Sequence, residues 1–152
     1  MWREETATIA AERFVFVDES GTHTRMTPLY ACAPRGQRAY GYAPRNHTRN
    51  TTLVAALTLT GVQDSMVVEG AMDTAAFVAW LGQGLGPTLI AGQIVVMDNL
   101  NVHKGERVQA VIEGYGCRLL FLPAYSPDLN PIEGMFSNCL LYTSPSPRDR
   151  QK

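Results

Sequence analysis

No stretch of this chain is long and apolar enough for a membrane helix. The longest, around Leu53–Leu59, falls far short of the ~20 residues that a bilayer crossing needs. Met1 leads into Trp-Arg-Glu-Glu rather than a basic start and an apolar run, so a secretory leader is not expected. Cysteine is scarce. Cys32, Cys117 and Cys139 have neither the paired spacing of a disulfide framework nor that of a metal site, and read as reduced thiols in a cytosolic protein. No internal repeat is visible. With 45% apolar and 18% charged residues in 152, a fibrous or wholly disordered chain is excluded and one compact domain is expected.

Positive charge is not in excess either. The net charge of −1 taken alone argues against a nucleic-acid partner. The average conceals segregation. From Gly21 to Gln63 there is no acid, but Arg25, Arg35, Arg38, Arg45, Arg49, His23 and His47 are present. From Asn50 to His103 there is no lysine or arginine, and Asp64, Glu69, Asp73 and Asp98 stand alone. Such blocks suggest a surface with a positive face, the bland reading being ordinary solvated charge.

What is present alternates short apolar runs with amphipathic ones. Phe14–Asp18 (FVFVD) predicts a buried strand that ends on an acid. Pro28–Ala33 predicts a second strand, and residues 35–50 an exposed, arginine-rich hairpin or loop. Thr51–Thr60 predicts a third strand, although Ala55 and Ala56 leave room for some helix. Asp73 is placed to cap a helix carrying Phe77, Trp80, Leu81 and Leu85, which Gly82, Gly84, Gly86 and Pro87 are expected to end. Ile94–Asp98 reads as a strand covered on both faces. A helix with Val108, Val111, Ile112 and Tyr115 on one stripe follows, then a strand at Arg118–Leu122, then a helix opened by Asn130 and Pro131. The order β-β-β-α-β-α-β-α predicts an α/β fold with a mixed five-stranded sheet flanked by helices.

The ends differ from this pattern. Residues 1–13 read as a linker remnant and 14–138 as the domain proper. Beyond it, CLLYTSPSPRD resembles the translation of a sequencing-library adapter, so residues 139–152 read as a non-native or disordered tail.

Three acids stand where side chains can converge. Asp18 and Asp98 each end a predicted strand, and Glu133 lies in the first turn of the last helix. If the strands ending at Asp18 and Asp98 are neighbours, both carboxylates leave the sheet side by side, within reach of a helix that crosses that edge. Crowded carboxylates raise one another's pKa values unless a cation neutralises them. Hard divalent ions with oxygen ligands, Mg²⁺ or Mn²⁺, suit such a site, and two of them can drive phosphodiester cleavage. Singly, each acid also has a structural explanation, as a turn former or a helix-start residue.

The literal residues sharpen the choice. FVDESGTHTRMTPLYACAPRGQRAYG, VVMDNLNVHKGERV and LPAYSPDLNPIEGMFS closely resemble the catalytic domain of mariner-like bacterial insertion-sequence transposases. These belong to the Asp-Asp-Glu transposase and integrase superfamily, whose fold is ribonuclease-H-like. The similarity runs from about Phe14 to Ser137, and YSPDLNPIE is its most specific motif. The resemblance implies that Asp18, Asp98 and Glu133 are the catalytic, metal-binding triad, with 34 residues between the second and third. It implies Mg²⁺ or Mn²⁺, two ions, and cleavage and strand transfer at the terminal inverted repeats of an insertion sequence. It further implies target DNA as a partner, a homodimer in the full-length protein, and a cytoplasmic, nucleoid-associated location with no membrane.

Other residues take supporting parts in this reading. Lys104, Arg35, Arg38, Arg45 and Arg49 are expected to contact DNA phosphates. His103 reads as a hydrogen-bonding helper rather than a metal ligand, and Asn130 with Pro131 as the start of the helix that aims Glu133. Glu19 should point away from Asp18, and Asp128 reads as a turn former. The family's N-terminal helix-turn-helix has no counterpart in Met1–Arg13, and its third helix extends further than the sequence here. Two alternatives follow: a truncated, non-catalytic remnant, or another ribonuclease-H-like nuclease, which YSPDLNPIE disfavours.

Overall fold

A computed structural model describes residues 2–22, 32–40, 50–98, 105–124 and 126–136. The first apolar run becomes strand β1 (Phe14–Thr22), which outlasts the expected Asp18 because Glu19–Thr22 go on pairing with strand β2 (Thr51–Thr58). β2 is strand throughout. Its two alanines serve packing rather than helix: Ala56 is in the core on one side of the sheet and Ala55 in that on the other.

Gly61, at φ +123°, turns the chain directly into strand β3 (Gly61–Glu69), antiparallel to β2. This strand was not expected. The predicted second strand, Pro28–Ala33, lies outside the described residues except for Cys32 and Ala33, which are not in a strand. Among the described residues, β1, β2 and β3 precede the first helix that follows the sheet's start. The pattern of β3 hides it, because Asp64 lies on the side covered by helices while Val67 is 65% exposed on the other.

Helix α1 (Trp2–Ala7) and a 3-10 turn at Ala11–Arg13 occupy the segment expected to be a linker remnant. Trp2 and Ile9 pack against Ile94, Val96 and Leu122. Helix α2 (Thr74–Trp80) is capped as expected, with Asp73 Oδ1 accepting from the Ala76 N–H at 2.6 Å. It does not stop at the glycines. Leu81–Leu85 widen into a π turn and Gly86–Thr88 tighten into a 3-10 turn. The glycines are there for space rather than termination: a Cβ on Gly84 would stand 2.7 Å from Asp64 Oδ2, and one on Gly86 would overlap the Tyr115 ring. Strand β4 (Ile94–Met97), helix α3 (Gly105–Gly114) and strand β5 (Arg118–Phe121) follow as expected, and residues 131–136 form helix α4.

The strands order as β3-β2-β1-β4-β5, with β1, β4 and β5 parallel and β2 antiparallel to both its neighbours. The α/β class and the mixed five-stranded sheet are therefore as expected. Alternation along the strands sends Val15, Val17, Val95 and Met97 to one side, where Phe77, Trp80, Leu81, Leu85, Val108 and Ile112 of α2, the π turn and α3 cover them. Phe14, Phe16, Ile94 and Val96 go to the other side, under α1 and α4. Among the described residues no helix is long and apolar enough to cross a membrane.

Candidate active site

The site is set by strand register. In β1, Asp18 follows Phe14 and Phe16 in the set of side chains that faces α1 and α4. In β4, Ile94 and Val96 face the same way, and Asp98 is the next position in that set, immediately after the strand. The parallel ladder pairs Val17 with Met97, so Asp18, midway along β1, and Asp98, just past the end of β4, stand next to each other on one side of the sheet.

Helix α4 supplies the third acid. Across the β1–β2 ladder, Asp18 lies opposite Ala55, and Ala55 is the residue on which Ile132 and Phe136 pack. Alanine there lets the helix approach closely. Ile132 is fully buried, and its neighbour Glu133 is thereby carried to the same end of the sheet while remaining exposed.

Asp18 is half-buried and held at both oxygens. Its Oδ1 accepts from the Glu19 backbone N–H at 2.8 Å, and its Oδ2 accepts from the Asn130 carboxamide nitrogen at 3.1 Å. Burial pushes its pKa up to about 6, the negative charges of Asp98 and Glu133 push the same way, and the two hydrogen bonds oppose them. All three carboxylates therefore act within one electrostatic neighbourhood. A hard divalent cation matches this donor set and would relieve both the desolvation and the mutual repulsion. The arrangement is open as it stands: no three His, Cys, Asp or Glu side chains among the described residues are close enough to hold one ion.

Other expected residues separate from this cluster. Asp128 is exposed and faces Arg3 at 3.6 Å rather than Asp18. Glu19 belongs to the alternate set of β1, with Val15 and Val17. Arg35 and Arg38 lie in an exposed segment, where Gln37 N–H bonds to Pro34 O at 3.0 Å and Gly36 supplies the positive φ of the turn. Arg45, Arg49, His103 and Lys104 lie outside the described residues. The residue whose full part escaped sequence reasoning is Asn130. Its expected place before a helix holds, since its backbone carbonyl accepts from Glu133 N–H at 3.3 Å. Nothing in spacing announces that its side chain reaches Asp18, 112 residues away in sequence.

Two aspartates on adjacent inner strands and a glutamate carried to the same end by a helix put three carboxylates together at one end of the sheet. The model for the DDE superfamily endonucleases matches residues 13–143, and the chain belongs to that family. No curated protein sequence matches it. Among solved structures it is similar to the Mos1 transposase paired-end complex with left transposon end, at 21% identity and a TM-score of 0.69, over 91% of this chain and 44% of that one. The Mos1 mariner paired end complex with Mn gives 22% identity and a TM-score of 0.70, over 90% of this chain and 45% of that one. The Mos1 transposase catalytic domain with Raltegravir and Mn gives 16% identity and a TM-score of 0.59, over 94% and 68%. These likenesses show the ribonuclease-H-like fold. The chain spans less than half the length of the paired-end Mos1 chains it matches.

Proposed function

We propose that this chain is the catalytic core of a mariner-like insertion-sequence transposase, which cuts DNA at the element's terminal inverted repeats and joins the freed 3′ end to target DNA. The observation that carries this reading is the shared charge of Asp18, Asp98 and Glu133 at one end of a ribonuclease-H-like sheet. Asp18, Asp98 and Glu133 are the residues that would hold Mg²⁺ or Mn²⁺. Bound there, two such ions would activate the attacking oxygen and stabilise the leaving one.

The remaining assignments follow from chemistry. Arg35, Arg38, Arg45, Arg49 and Lys104 bind phosphates of the DNA, a role consistent with the acid-free run that contains the four arginines. His103 assists by hydrogen bonding. Residues 14–138 are the catalytic domain and 139–152 a tail, the full-length protein acts as a homodimer, and the reaction runs on cytoplasmic, nucleoid-borne DNA. The related Mos1 structures carry transposon-end DNA, Mn or Mg by their descriptions, which supports this choice of substrate and ion.

The test is Asp98→Asn in the full-length parent, with divalent-metal-dependent nicking of terminal-repeat DNA as the readout. Loss of nicking is expected, and nicking at the wild-type level would sink the assignment. A second reading, a remnant that folds and holds DNA without cutting it, draws on the open spacing of the three carboxylates. Under that reading Mn²⁺ leaves the melting temperature unchanged. Under the first it raises the melting temperature, and Asp18→Asn removes the rise.

A further inference from the structure

Only two polar side chains among the described residues are buried, and each ties distant segments together. Thr52 donates its hydroxyl to Gly70 O, which fastens the far end of the β2–β3 hairpin. Asn130, only 6% exposed, donates to Asp18 Oδ2 at 3.1 Å while its backbone carbonyl accepts from Glu133 N–H at 3.3 Å. One residue is thus bonded to two of the three clustered acids, through different groups.

The choice of residue is informative. At the start of a helix, Asp and Ser serve as well as Asn, because each offers an oxygen to the first free backbone N–H groups. Neither can replace the carboxamide nitrogen against an ionised carboxylate: Asp would add a second negative charge, and the shorter Ser hydroxyl would not span the gap. Only the nitrogen end of the amide suits this contact.

The contact also has a mechanical consequence. The terminal torsion of an aspartate is broad, so a carboxylate held at one oxygen swings. Asp18 is held at both, by Glu19 N–H on Oδ1 and by Asn130 on Oδ2, and each oxygen keeps a second lone pair for a cation. We propose that Asn130 is a positioning residue for the cation site, which locks the Asp18 carboxylate and fixes its placement relative to Glu133. The inference rests on the metal-site reading above and adds to it a residue that touches no ion. Partners that orient metal ligands in this way typically change affinity by about 10–100-fold when they are removed.

The experiment uses the full chain and four variants: Asn130→Ser, Asn130→Asp, Asp18→Asn and the exchange Asp18→Asn/Asn130→Asp. Mn²⁺ binding is titrated by the loss of the free-ion paramagnetic resonance signal, and the melting temperature is measured without metal. Asn130→Ser and Asn130→Asp keep a competent helix start, and Asn130→Ser, which loses the contact without adding charge, is expected to bind Mn²⁺ roughly 10–100-fold more weakly than the wild type. Without metal, Asn130→Asp should lower the melting temperature, because two carboxylates then face each other. The exchange should recover most of that loss, since donor and acceptor have merely traded places.

Wild-type Mn²⁺ affinity in Asn130→Ser would overturn the positioning role, as would an exchange variant no more stable than Asn130→Asp. A wild-type chain that binds no Mn²⁺ would overturn the metal site itself, and the positioning role with it. The metal-free comparison separates that outcome from a failure of the Asn130–Asp18 bond.

Discussion

Val17 and Met97 lie side by side in the parallel β1–β4 ladder, and the residue after each is an aspartate. Register alone therefore delivers Asp18 and Asp98 to adjacent positions on neighbouring strands, on the side of the sheet where α4 carries Glu133. Replacing Asp98 by its amide keeps its shape but removes a charge from the candidate cation site. Under the proposed function, Asp98→Asn in the full-length parent should cut metal-dependent nicking by more than the ~100-fold typical of residues that only support a ligand. The fold should survive, since Asp98 lies beyond the last paired residue of β4. A gel assay for nicked terminal-repeat DNA, run beside a melting curve, checks both parts.

The raised pKa of Asp18 gives a signed pH dependence. Its value is about 6 in the folded chain against 3.8 for an unperturbed group, chiefly because burial disfavours the charged form. The folded state therefore holds the proton more tightly than the unfolded one, and protonation favours folding. This stabilisation is complete below about pH 4 and is lost as the pH rises through 6. After discounting for the part of the group that water still reaches, it amounts to ~1–2 kcal/mol, or a few degrees in melting temperature. Asp18→Asn should flatten that component of the metal-free profile. Mn²⁺ competes with the same proton, so its stabilising effect should grow between pH 5 and 7.

Gly82, Gly84 and Gly86 are alike in sequence and unlike in space. A Cβ on Gly84 would stand 2.7 Å from Asp64 Oδ2 and 2.8 Å from Trp80 Cδ1, across the 2.9 Å bond from the Trp80 indole N–H to that carboxylate. A Cβ on Gly86 would overlap the Tyr115 ring and stand 2.6 Å from Leu81 O. Alanine at either position should cost about 1–3 kcal/mol through overpacking. Gly82 has nothing within 4 Å of its Cβ position, so Gly82→Ala should be neutral or gain up to ~1 kcal/mol from helix propensity. Thermal unfolding of the three variants checks the ranking.

The same segment marks where the sequence was readable and where it was not. Asp18 and Asp98 were legible because each ends a short apolar run, and nothing but strand pairing was needed to bring them together. Glu133 was legible from the Asn-Pro start of its helix. The strand β3 was not, because its inward side carries Asp64, made acceptable there only by the indole of Trp80 sixteen residues on. The continuation of α2 was missed for a related reason: glycine reads locally as a breaker, whereas these glycines answer to side chains on β3 and after α3. Asn130 shows the same limit at the site, since a helix-start residue and a carboxylate-holding residue have one and the same letter.

Ile132 and Ile112 offer a matched pair for asking how Glu133 is held. Both are essentially fully buried isoleucines, on opposite sides of the sheet: Ile132 on Ala55 beside Asp18, and Ile112 in the core with Phe77, Trp80 and Leu85. Truncation to alanine should cost either site about 2–5 kcal/mol, and truncation to valine about 0.5–1.5 kcal/mol. Their effects on the cation should differ. Ile132→Val loosens the short helix that seats Glu133 and Asn130, so it should weaken Mn²⁺ binding beyond its effect on stability. Ile112→Val loosens a side of the sheet from which none of the three acids projects, so at equal loss of stability it should leave Mn²⁺ affinity unchanged. Mn²⁺ titration of the two valine variants, each well below its melting temperature, decides the matter. Equal affinities would mean that the packing of Ile132 on Ala55 does not hold Glu133 in place.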